Sequence, residues 1–504
     1  MTTTLERPGY EPFRVERRGI EEVPAREQWA TARNLGALWS GSSINIAYVV
    51  YGALLMGFGF SLARALVLIV LGNLSYLLVG LASLQGPRAR TTTFAISRSA
   101  FGARGARGVA LLNWVTQLGF ETTALVLIEG AAVVLLAKSG LRVGGPGKVA
   151  IVLAAATVQS LLPFFGHATM VKVLRWLIGP FVAVFALLLA FVPGHAHVVA
   201  TAGAGGWALD SAGLAFVVAL SGLGWTECAN DYSRYVDPRT PARAIVGWVM
   251  LGAALPETLL MALGAYLFTL VPDAAAWNGV NPFAVFLHQR IWPGWVVVAV
   301  VAFAIVQLFA IDALVLYSSG VSLQAAGLAR PRVQTVVLDA VLAGALTLWA
   351  TFASSFSLFT KEFVGVIIVW ISPWLGIFLA DWWLRGRRYD AAALHDGARG
   401  ARYFGGRGGL WPAATIAFVA GLASATACFS KAPPPVSVPW HWMTPVSNHF
   451  GAFYCAGTAA AHCGPAGWYG GADLSAPAGI VVGALAYALL AGRRLRRDRA
   501  RGAC

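Results

Sequence analysis

An amide, an aromatic ring and a carboxyl group stand at helical spacing within one apolar stretch of the chain. Gln117, Phe120, Glu121 and Ala124 are separated by three or four residues, so a helix places them on one stripe. Such a stripe suits a planar polar heterocycle, because the ring stacks and the polar groups meet its donors and acceptors. Gln117 could equally form an interhelical hydrogen bond. Glu121 is more informative, because a carboxyl group in an apolar stretch is costly without a partner or a function.

Four more carboxyl groups lie in apolar stretches. Glu227 follows a glycine-rich segment, and Asp312 lies between Phe309 and Gly320. Buried carboxyl groups of this kind are candidate proton carriers. Glu257 and Asp339 could equally pair with a basic group or with a neighbouring helix.

Two polar, glycine-rich stretches interrupt apolar segments, at residues 38–45 and 221–227. Irregular backbone inside a membrane is tolerated where it lines a cavity, so such breaks mark binding sites in transporters. Serine and glycine could instead serve close helix packing, but the matched positions of the two breaks favour sites. The candidates at the breaks are Gly41, Asn45, Gly222, Gly224 and Trp225.

Other chemistries find no support in the sequence. It has no nucleophile–base motif, no histidine pair at metal spacing and no C-x-x-C. Residues 144–149 resemble a phosphate loop only superficially, because Val149 stands where Ser or Thr is needed. We therefore predict neither an enzyme nor a cofactor, and no metal site. Asp231 and Arg234, three residues apart, suggest a structural ion pair.

The composition sets the class of protein. Of 504 residues, 58% are hydrophobic and 12% are charged, whereas soluble chains have about 45–50% apolar and about 25% charged residues. This excludes an ordinary cytosolic enzyme, a disordered chain and a disulfide-stapled secreted module. It predicts an all-α, polytopic membrane protein.

The apolar segments predict about twelve transmembrane helices, since about 20 apolar residues cross a bilayer. We number them spans 1 to 12, and they are expected at 34–56, 64–84, 108–137, 148–164, 176–194, 211–229, 244–271, 291–320, 333–351, 358–383, 411–430 and 478–492. The breaks then fall in spans 1 and 6, which predicts two inverted repeats of five helices, 34–194 and 211–383. Residues 1–33 form a polar tail, 384–492 hold an inner loop, spans 11 and 12 and a long outer loop, and 493–504 form a basic tail.

The basic residues predict the orientation. With the N-terminus inside, 30 of the 37 Lys and Arg residues fall in inner segments. This bias favours a plasma-membrane (inner-membrane) protein with both termini in the cytoplasm. It also explains the net charge of +15 by contact with the lipid bilayer, so no nucleic-acid partner is required. In the outer loop, Cys455 and Cys463 could form a disulfide or remain two thiols.

Several short motifs, in this order and spacing, resemble the nucleobase–cation symporter-1 family, also called the purine–cytosine permease family, and its bacterial cytosine or purine permease branch. They extend over roughly residues 17–390 and comprise Arg18–Glu21 with Val23-Pro24, Gly86–Arg88, Ser97–Gly102, Gly119–Thr122, Asp231–Tyr235, Tyr317–Gly320 with Ser322–Gln324, and Pro373–Phe378 with Asp381.

The resemblance implies a LeuT-like fold of two inverted five-helix repeats followed by two helices. It also implies uptake of a nucleobase-type ring with a cation by alternating access. Gln117 matches the family's span-3 amide, Phe120 its stacking aromatic residue and Asp312 its span-8 polar position. Gly41 and Asn45 fall where span 1 offers ligands to sodium.

Two departures from the family pattern matter. Its span-6 aromatic residue falls near Gly222, so Trp225 replaces it only with a local shift. Sodium-coupled members carry hydroxyl groups on span 8 where this chain has Ala310 and Ile311, and a hard cation needs oxygen ligands. We therefore expect proton rather than sodium coupling, with Glu121 or Asp312 as the carrier and Glu227 as a further candidate.

The expected function is import of a cytosine- or purine-like base by cation symport. Alternatives on the same fold are transport of hydantoin, allantoin, thiamine or an amino acid. A passive channel or an intramembrane enzyme would be a different class. The sequence leaves the oligomeric state open.

Overall fold

The computed structural model describes residues 11–191, 206–270, 281–284, 292–328, 330–353, 356–406, 408–429, 454–455, 463–464 and 472–500. This part of the chain is almost entirely helical. Its two strands, Tyr454–Cys455 and Cys463–Gly464, pair antiparallel with Cys455 opposite Cys463. The side chains of that pair lie outside the described residues, so the disulfide stays a prediction.

Among the described residues, ten helices are long and apolar enough to cross a membrane, and a bent pair makes an eleventh crossing. The shorter apolar helix Pro412–Ala427 occupies the position of span 11. The spans are Ala32–Ser43 with Ile46–Met56 (1), Leu62–Asn73 with Tyr76–Ala82 (2), Arg98–Lys138 (3), Gly145–Gln159 with Leu161–Phe165 (4), His167–Ala190 (5), Trp207–Leu220 with Leu223–Cys228 and Ala229–Ser233 (6), Ala242–Val249 with Met250–Ala254 and Leu255–Leu270 (7), Gly294–Ala325 (8), Arg332–Ala353 (9), Phe356–Leu384 (10), Pro412–Ala427 (11) and Ser475–Ala500 (12).

Short helical turns lie between some of these spans, at Gly86–Ala89, Thr93–Ile96 and Pro282–Ala284. Another, Ala25–Glu27, precedes span 1. Large apolar side chains on the outer faces, such as Val341, Leu485 and Leu489, are exposed. An exposed apolar belt of this kind is what a lipid-facing surface requires.

Span 1 is broken near the C-terminal end of the stretch where the break was predicted, residues 38–45. Its first helix ends at Ser43, and the second begins at Ile46 after a bend of 58°. Asn45 caps the second helix, because its Oδ1 accepts the Ala47 N–H at 2.9 Å. This side-chain bond replaces a backbone bond that the break removes. Gly41 remains helical.

Span 6 is broken where the sequence predicts. Its first helix ends at Leu220, Ser221 leaves the helical conformation, and a 3₁₀ turn follows at Leu223–Cys228. Span 7 carries an irregularity of its own, a π-helical turn at Met250–Ala254. Such turns occur frequently at functional sites.

Glycines bring the broken spans into backbone contact with their neighbours. A Cβ on Gly52 would lie 1.9 Å from the Met261 carbonyl oxygen, and one on Gly264 would lie 1.9 Å from that of Val49, so spans 1 and 7 touch directly. Span 6 approaches span 2 in the same way, because a Cβ on Gly222 would lie 2.2 Å from the Ser75 backbone. In two repeats of five helices, spans 1 and 2 correspond to spans 6 and 7. Contact of span 1 with span 7 and of span 6 with span 2 is therefore the symmetric pattern expected of two related halves.

The residues before span 1 close one end of the bundle. The Glu16 carboxyl group accepts the His167 backbone N–H at 2.7 Å and lies 3.6 Å from the Arg234 guanidinium group. Arg234 also donates to the Gly19 carbonyl oxygen at 2.6 Å. The predicted ion pair of Arg234 with Asp231 is wrong, because Glu16 from outside the spans takes that place.

A buried ion pair joins three spans near one end. Asp381 of span 10 accepts hydrogen bonds from Arg385 at 2.9 Å, from the Ser99 hydroxyl at 2.6 Å and from the Tyr487 hydroxyl at 2.6 Å. Both charged side chains are almost completely buried. Buried charges need this complete set of partners, because an unpaired charge costs several kcal/mol.

We therefore expect Asp381→Asn to destabilise the protein by about 3–5 kcal/mol, since it leaves Arg385 buried without a counter-charge. Glu11→Gln is the matched control, because Glu11 pairs with Arg14 on the surface, where such pairs contribute about 0–1 kcal/mol. The measurement is the apparent Tm of the purified protein in detergent. Equal Tm values for the two variants would contradict the importance of the buried pair.

Candidate substrate-binding site

Two aromatic rings from different spans face each other at the break of span 6. The rings of Phe120 and Trp225 are nearly parallel, with an angle of 11° and centroids 6.3 Å apart. Phe363 of span 10 closes the other side of Phe120 in an edge contact, with centroids 5.0 Å apart. Parallel faces from spans 3 and 6 can hold a flat molecule between them.

A small cavity of about 30 Å³ lies beside these rings. Its walls come from spans 1, 3, 6 and 8, and its lining includes Phe120, Trp225, Tyr48, Tyr51, Thr123 and Asp312. Asp312 is fully buried, and neither of its oxygen atoms has a hydrogen-bond partner among the described residues. A buried carboxyl group without partners costs free energy, so this side chain is suited to bind a ligand.

Gln117 and Glu227 form a polar pair next to the rings. Gln117 lies one helical turn before Phe120, and its Nε2 donates to Glu227 Oε1 at 3.1 Å. The other oxygens of the two side chains, Gln117 Oε1 and Glu227 Oε2, are buried without a partner in the described part of the chain. Two acceptors therefore remain for donors of a ligand.

The two glycines of the span-6 break have different surroundings. Gly224 lies at the rings, since a Cβ there would come within 3.4 Å of Phe120. Gly222 instead packs on the backbone of Ser75 and Tyr76. No side chain could stand at Gly222 without moving span 2. The span-6 ring that lies parallel to Phe120 is that of Trp225.

The span-1 candidates serve the break and the packing. Asn45 donates through Nδ2 to the Gln307 carbonyl oxygen, and Gln307 Oε1 accepts the Ile46 N–H at 3.2 Å. Gly41 packs against Leu174 of span 5, where a Cβ would lie 2.5 Å from the Leu174 Cβ. Gln307 therefore joins the break of span 1 to span 8.

Glu121 does not line this cavity. It is buried with Ser319 of span 8 and near the carboxyl groups of Asp312 and Asp339. The Trp114 indole nitrogen donates to Asp339 Oδ1 at 2.6 Å. The structure thus groups Gln117, Phe120, Trp225, Glu227 and Asp312 near one cavity, and it places Glu121 in an adjoining acidic cluster.

Sequence reasoning missed Tyr48 and Gln307. Tyr48 follows Asn45 by three residues, and its hydroxyl accepts the Trp225 indole N–H at 3.2 Å. Gln307 is a polar residue in an apolar helix, five residues before Asp312. Their intramembrane polarity was the available signal, but their partners lie 177 and 261 residues away in sequence.

Comparisons with known proteins show the family to which this chain belongs. The sequence matches the family described as "Permease for cytosine/purines, uracil, thiamine, allantoin" over residues 22–448. It is 27% identical over 404 residues to a Bacillus subtilis protein provisionally named purine-cytosine permease YxlA, covering 76% of this chain and 83% of that protein. It is 26% identical over 259 residues to the purine-cytosine permease FCY2 of Saccharomyces cerevisiae, covering 50% of this chain and 47% of that one.

The fold matches that of Mhp1, a nucleobase-cation-symport-1 family transporter. The closed conformation with bromovinylhydantoin bound gives a TM-score of 0.69 at 17% identity, over 98% of this chain and 96% of Mhp1. The inward-facing conformation gives 0.64 at 15% identity, over 97% and 96%. The expected LeuT-like fold is confirmed. This chain therefore belongs to the permease family for cytosine/purines, uracil, thiamine and allantoin, the nucleobase–cation symporter-1 family of multi-pass membrane transporters.

Proposed function

We propose that this protein imports a cytosine- or purine-like base together with a proton. The facing rings of Phe120 and Trp225 carry the proposal, because parallel aromatic faces favour a flat, aromatic substrate. The family description, which begins with cytosine and purines, supports the same class. Hydantoins, allantoin and thiamine are the closest alternatives.

The spacing of the rings explains how a base enters. Carbon atoms pack at about 3.5 Å, so a base between two rings needs about 7 Å between them. The centroids stand 6.3 Å apart, which is the upper limit of the gap between the two ring planes, and the adjoining cavity holds about 30 Å³. Binding therefore requires spans 3 and 6 to move apart, after which the base fills the gap. A site that opens and closes in this way fits alternating access.

The polar groups beside the rings favour a substrate edge that carries N–H donors. Gln117 Oε1, Glu227 Oε2 and both Asp312 oxygens are acceptors without partners among the described residues. An exocyclic amine, as in cytosine or adenine, supplies donors to such groups. Uracil presents a carbonyl oxygen at the same ring position and is expected to bind less tightly.

The residues around the break of span 1 support proton coupling. Both polar atoms of the Asn45 amide already have partners, Gln307 and Ala47. Span 8 offers Ala310 and Ile311 where sodium-coupled relatives are expected to offer hydroxyl oxygens. This position therefore offers fewer hydroxyl ligands for a hard cation, and the buried carboxyl groups nearby are candidates to carry a proton instead.

The charge distribution supports an orientation with both termini in the cytoplasm of the cell and the protein in its plasma membrane. Of 37 Lys and Arg residues, 30 fall in the segments that this orientation places inside. Uptake then proceeds from the outside to the cytoplasm.

We expect Phe120→Ala to abolish measurable uptake of the preferred base while the protein still reaches the membrane. Loss of a base–aromatic stack costs about 1–3 kcal/mol, or about 5- to 150-fold in Kd. The measurements are radiolabelled uptake in cells and Kd from a panel of bases added to purified protein. Phe352→Ala is the control, because Phe352 is 58% exposed and does not line the cavity beside the rings. Unchanged Kd for Phe120→Ala would contradict the stacking role.

We expect Glu227→Gln to reduce the preference for cytosine over uracil. The substitution replaces an acceptor-only group with one that also donates, so it weakens the bond to the amine by about 1–3 kcal/mol. The measurement is the ratio of the two Kd values. The Phe120→Ala variant provides the contrast, because stacking loss should weaken both bases alike. A ratio unchanged by Glu227→Gln would remove this residue from the substrate edge.

We expect accumulation of the base in proteoliposomes to follow an imposed pH gradient and to stop when an uncoupler is added. A passive channel would equilibrate the base without accumulating it, and would be insensitive to the uncoupler. Uptake that requires sodium and ignores the pH gradient would refute proton coupling.

A further inference from the structure

Glu257 of span 7 lies where the two helix breaks meet. It is fully buried and follows the π-helical turn by three residues. Its Oε1 accepts the Ser43 hydroxyl at 2.9 Å and also the Tyr76 hydroxyl. Ser43 ends the first half of span 1, and Tyr76 begins the second half of span 2. The carboxyl group therefore connects three spans at the level of the span-1 break.

The hydroxyl groups of Tyr48 and Ser221 lie close to the same carboxyl group without a hydrogen bond to it. Ser221 is the residue at which span 6 leaves the helical conformation. Glu257 is thus bonded to the break of span 1 through Ser43 and lies close to the break of span 6 at Ser221. Asp312 and Glu121, the carriers expected from sequence, have no comparable set of hydroxyl partners from both breaks.

No lysine or arginine in the described part of the chain forms an ion pair with Glu257. The titratable groups that face it are the phenols of Tyr48 and Tyr51 on span 1 and of Tyr76 on span 2. Buried carboxyl groups without a counter-charge are kept for function in membrane proteins. Hydroxyl groups suit a carboxyl group that changes protonation, because each can either donate or accept.

Tyr48 connects Glu257 to the aromatic site. The Trp225 indole N–H donates to the Tyr48 oxygen at 3.2 Å, and the Tyr48 hydroxyl faces Glu257. With the carboxyl group ionised, the Tyr48 oxygen accepts from the indole and its hydrogen can turn toward the carboxylate, which only accepts. With the carboxyl group protonated, Glu257 also becomes a donor, so the Tyr48 hydrogen is no longer drawn to it in the same way. Movement of Trp225 around a bound base disturbs the same chain.

We propose that Glu257 binds the co-transported proton and that Tyr48 couples this proton to the base held by Trp225. The inference deepens the proposed proton symport and rests on it. It assigns the proton to span 7, where the two breaks meet, in place of Glu121 or Asp312. The two affinities are linked. Binding of the base must change the proton affinity of Glu257 by the same factor by which protonation of Glu257 changes the affinity for the base.

The test compares substrate Kd across a range of pH for purified wild-type protein and five variants. Wild type should show a pH effect of about 5- to 150-fold, the usual range of coupling. Glu257→Gln should still bind the base, but its Kd should hardly change with pH. In proteoliposomes this variant should no longer accumulate the base. Tyr48→Phe keeps the Glu257 carboxyl group but removes the hydroxyl group that lies between it and Trp225. This variant should therefore reduce the pH effect on Kd without abolishing binding of the base.

Glu129→Gln is the matched control. Glu129 is also a buried glutamate, but it lies in span 3 and pairs with Lys148 at 3.4 Å. This variant should retain the wild-type pH effect. A wild-type pH effect in Glu257→Gln, or its loss in Glu121→Gln or Asp312→Asn alone, would overturn the assignment.

Infrared difference spectra separate this inference from the proposed function. If wild type binds none of the bases tested, the substrate proposal fails, yet protonation of Glu257 can still be followed by its carboxyl C=O stretch. A band that changes with pH in wild type and is absent in Glu257→Gln supports the proton site. Spectra that are identical in the two proteins over the same pH range overturn it.

Discussion

The structure depends on one constraint: in an apolar surrounding, every backbone group released by a helix break must find another partner. The break of span 1 meets this need through Asn45, which caps the second helix, and through Gln307 of span 8. The polar side chains at the centre of the protein are therefore a consequence of the breaks. The substrate-site candidates are concentrated where this polarity and the rings of spans 3 and 6 meet.

The same constraint accounts for the close packing around the breaks. A broken helix has fewer backbone bonds, so it is held by its neighbours, and glycines at Gly52, Gly264 and Gly222 allow backbone-to-backbone contact. Spans 3 and 8 are helical at Phe120 and Asp312 and supply the facing wall. The site thus lies between spans that are held by backbone contacts and spans that are held by side-chain contacts.

Much of this architecture could be predicted from the sequence. Apolar length gives the spans, and glycine with serine inside them gives both breaks, since these are local signals. Phe120 and Gln117 follow from helical spacing, and Trp225 from its place in the break. Glu121 was expected on the same helix face. Helix periodicity assigns residues to a face, but it does not predict which neighbouring helix each residue on that face will contact. The partners of Glu257 and Gln307 depend on contacts between distant spans, which single-sequence patterns do not carry.

The segment before span 1 adds to the work of separating the helices that it joins. Glu16 and Gly19, which belong to no span, bond to Arg234 and His167 at the ends of spans 6 and 5. Any separation of spans 5 and 6 at this end must break these bonds as well as the contacts between the helices. The free energy of such a separation therefore depends on a stretch of chain that lies outside the bundle.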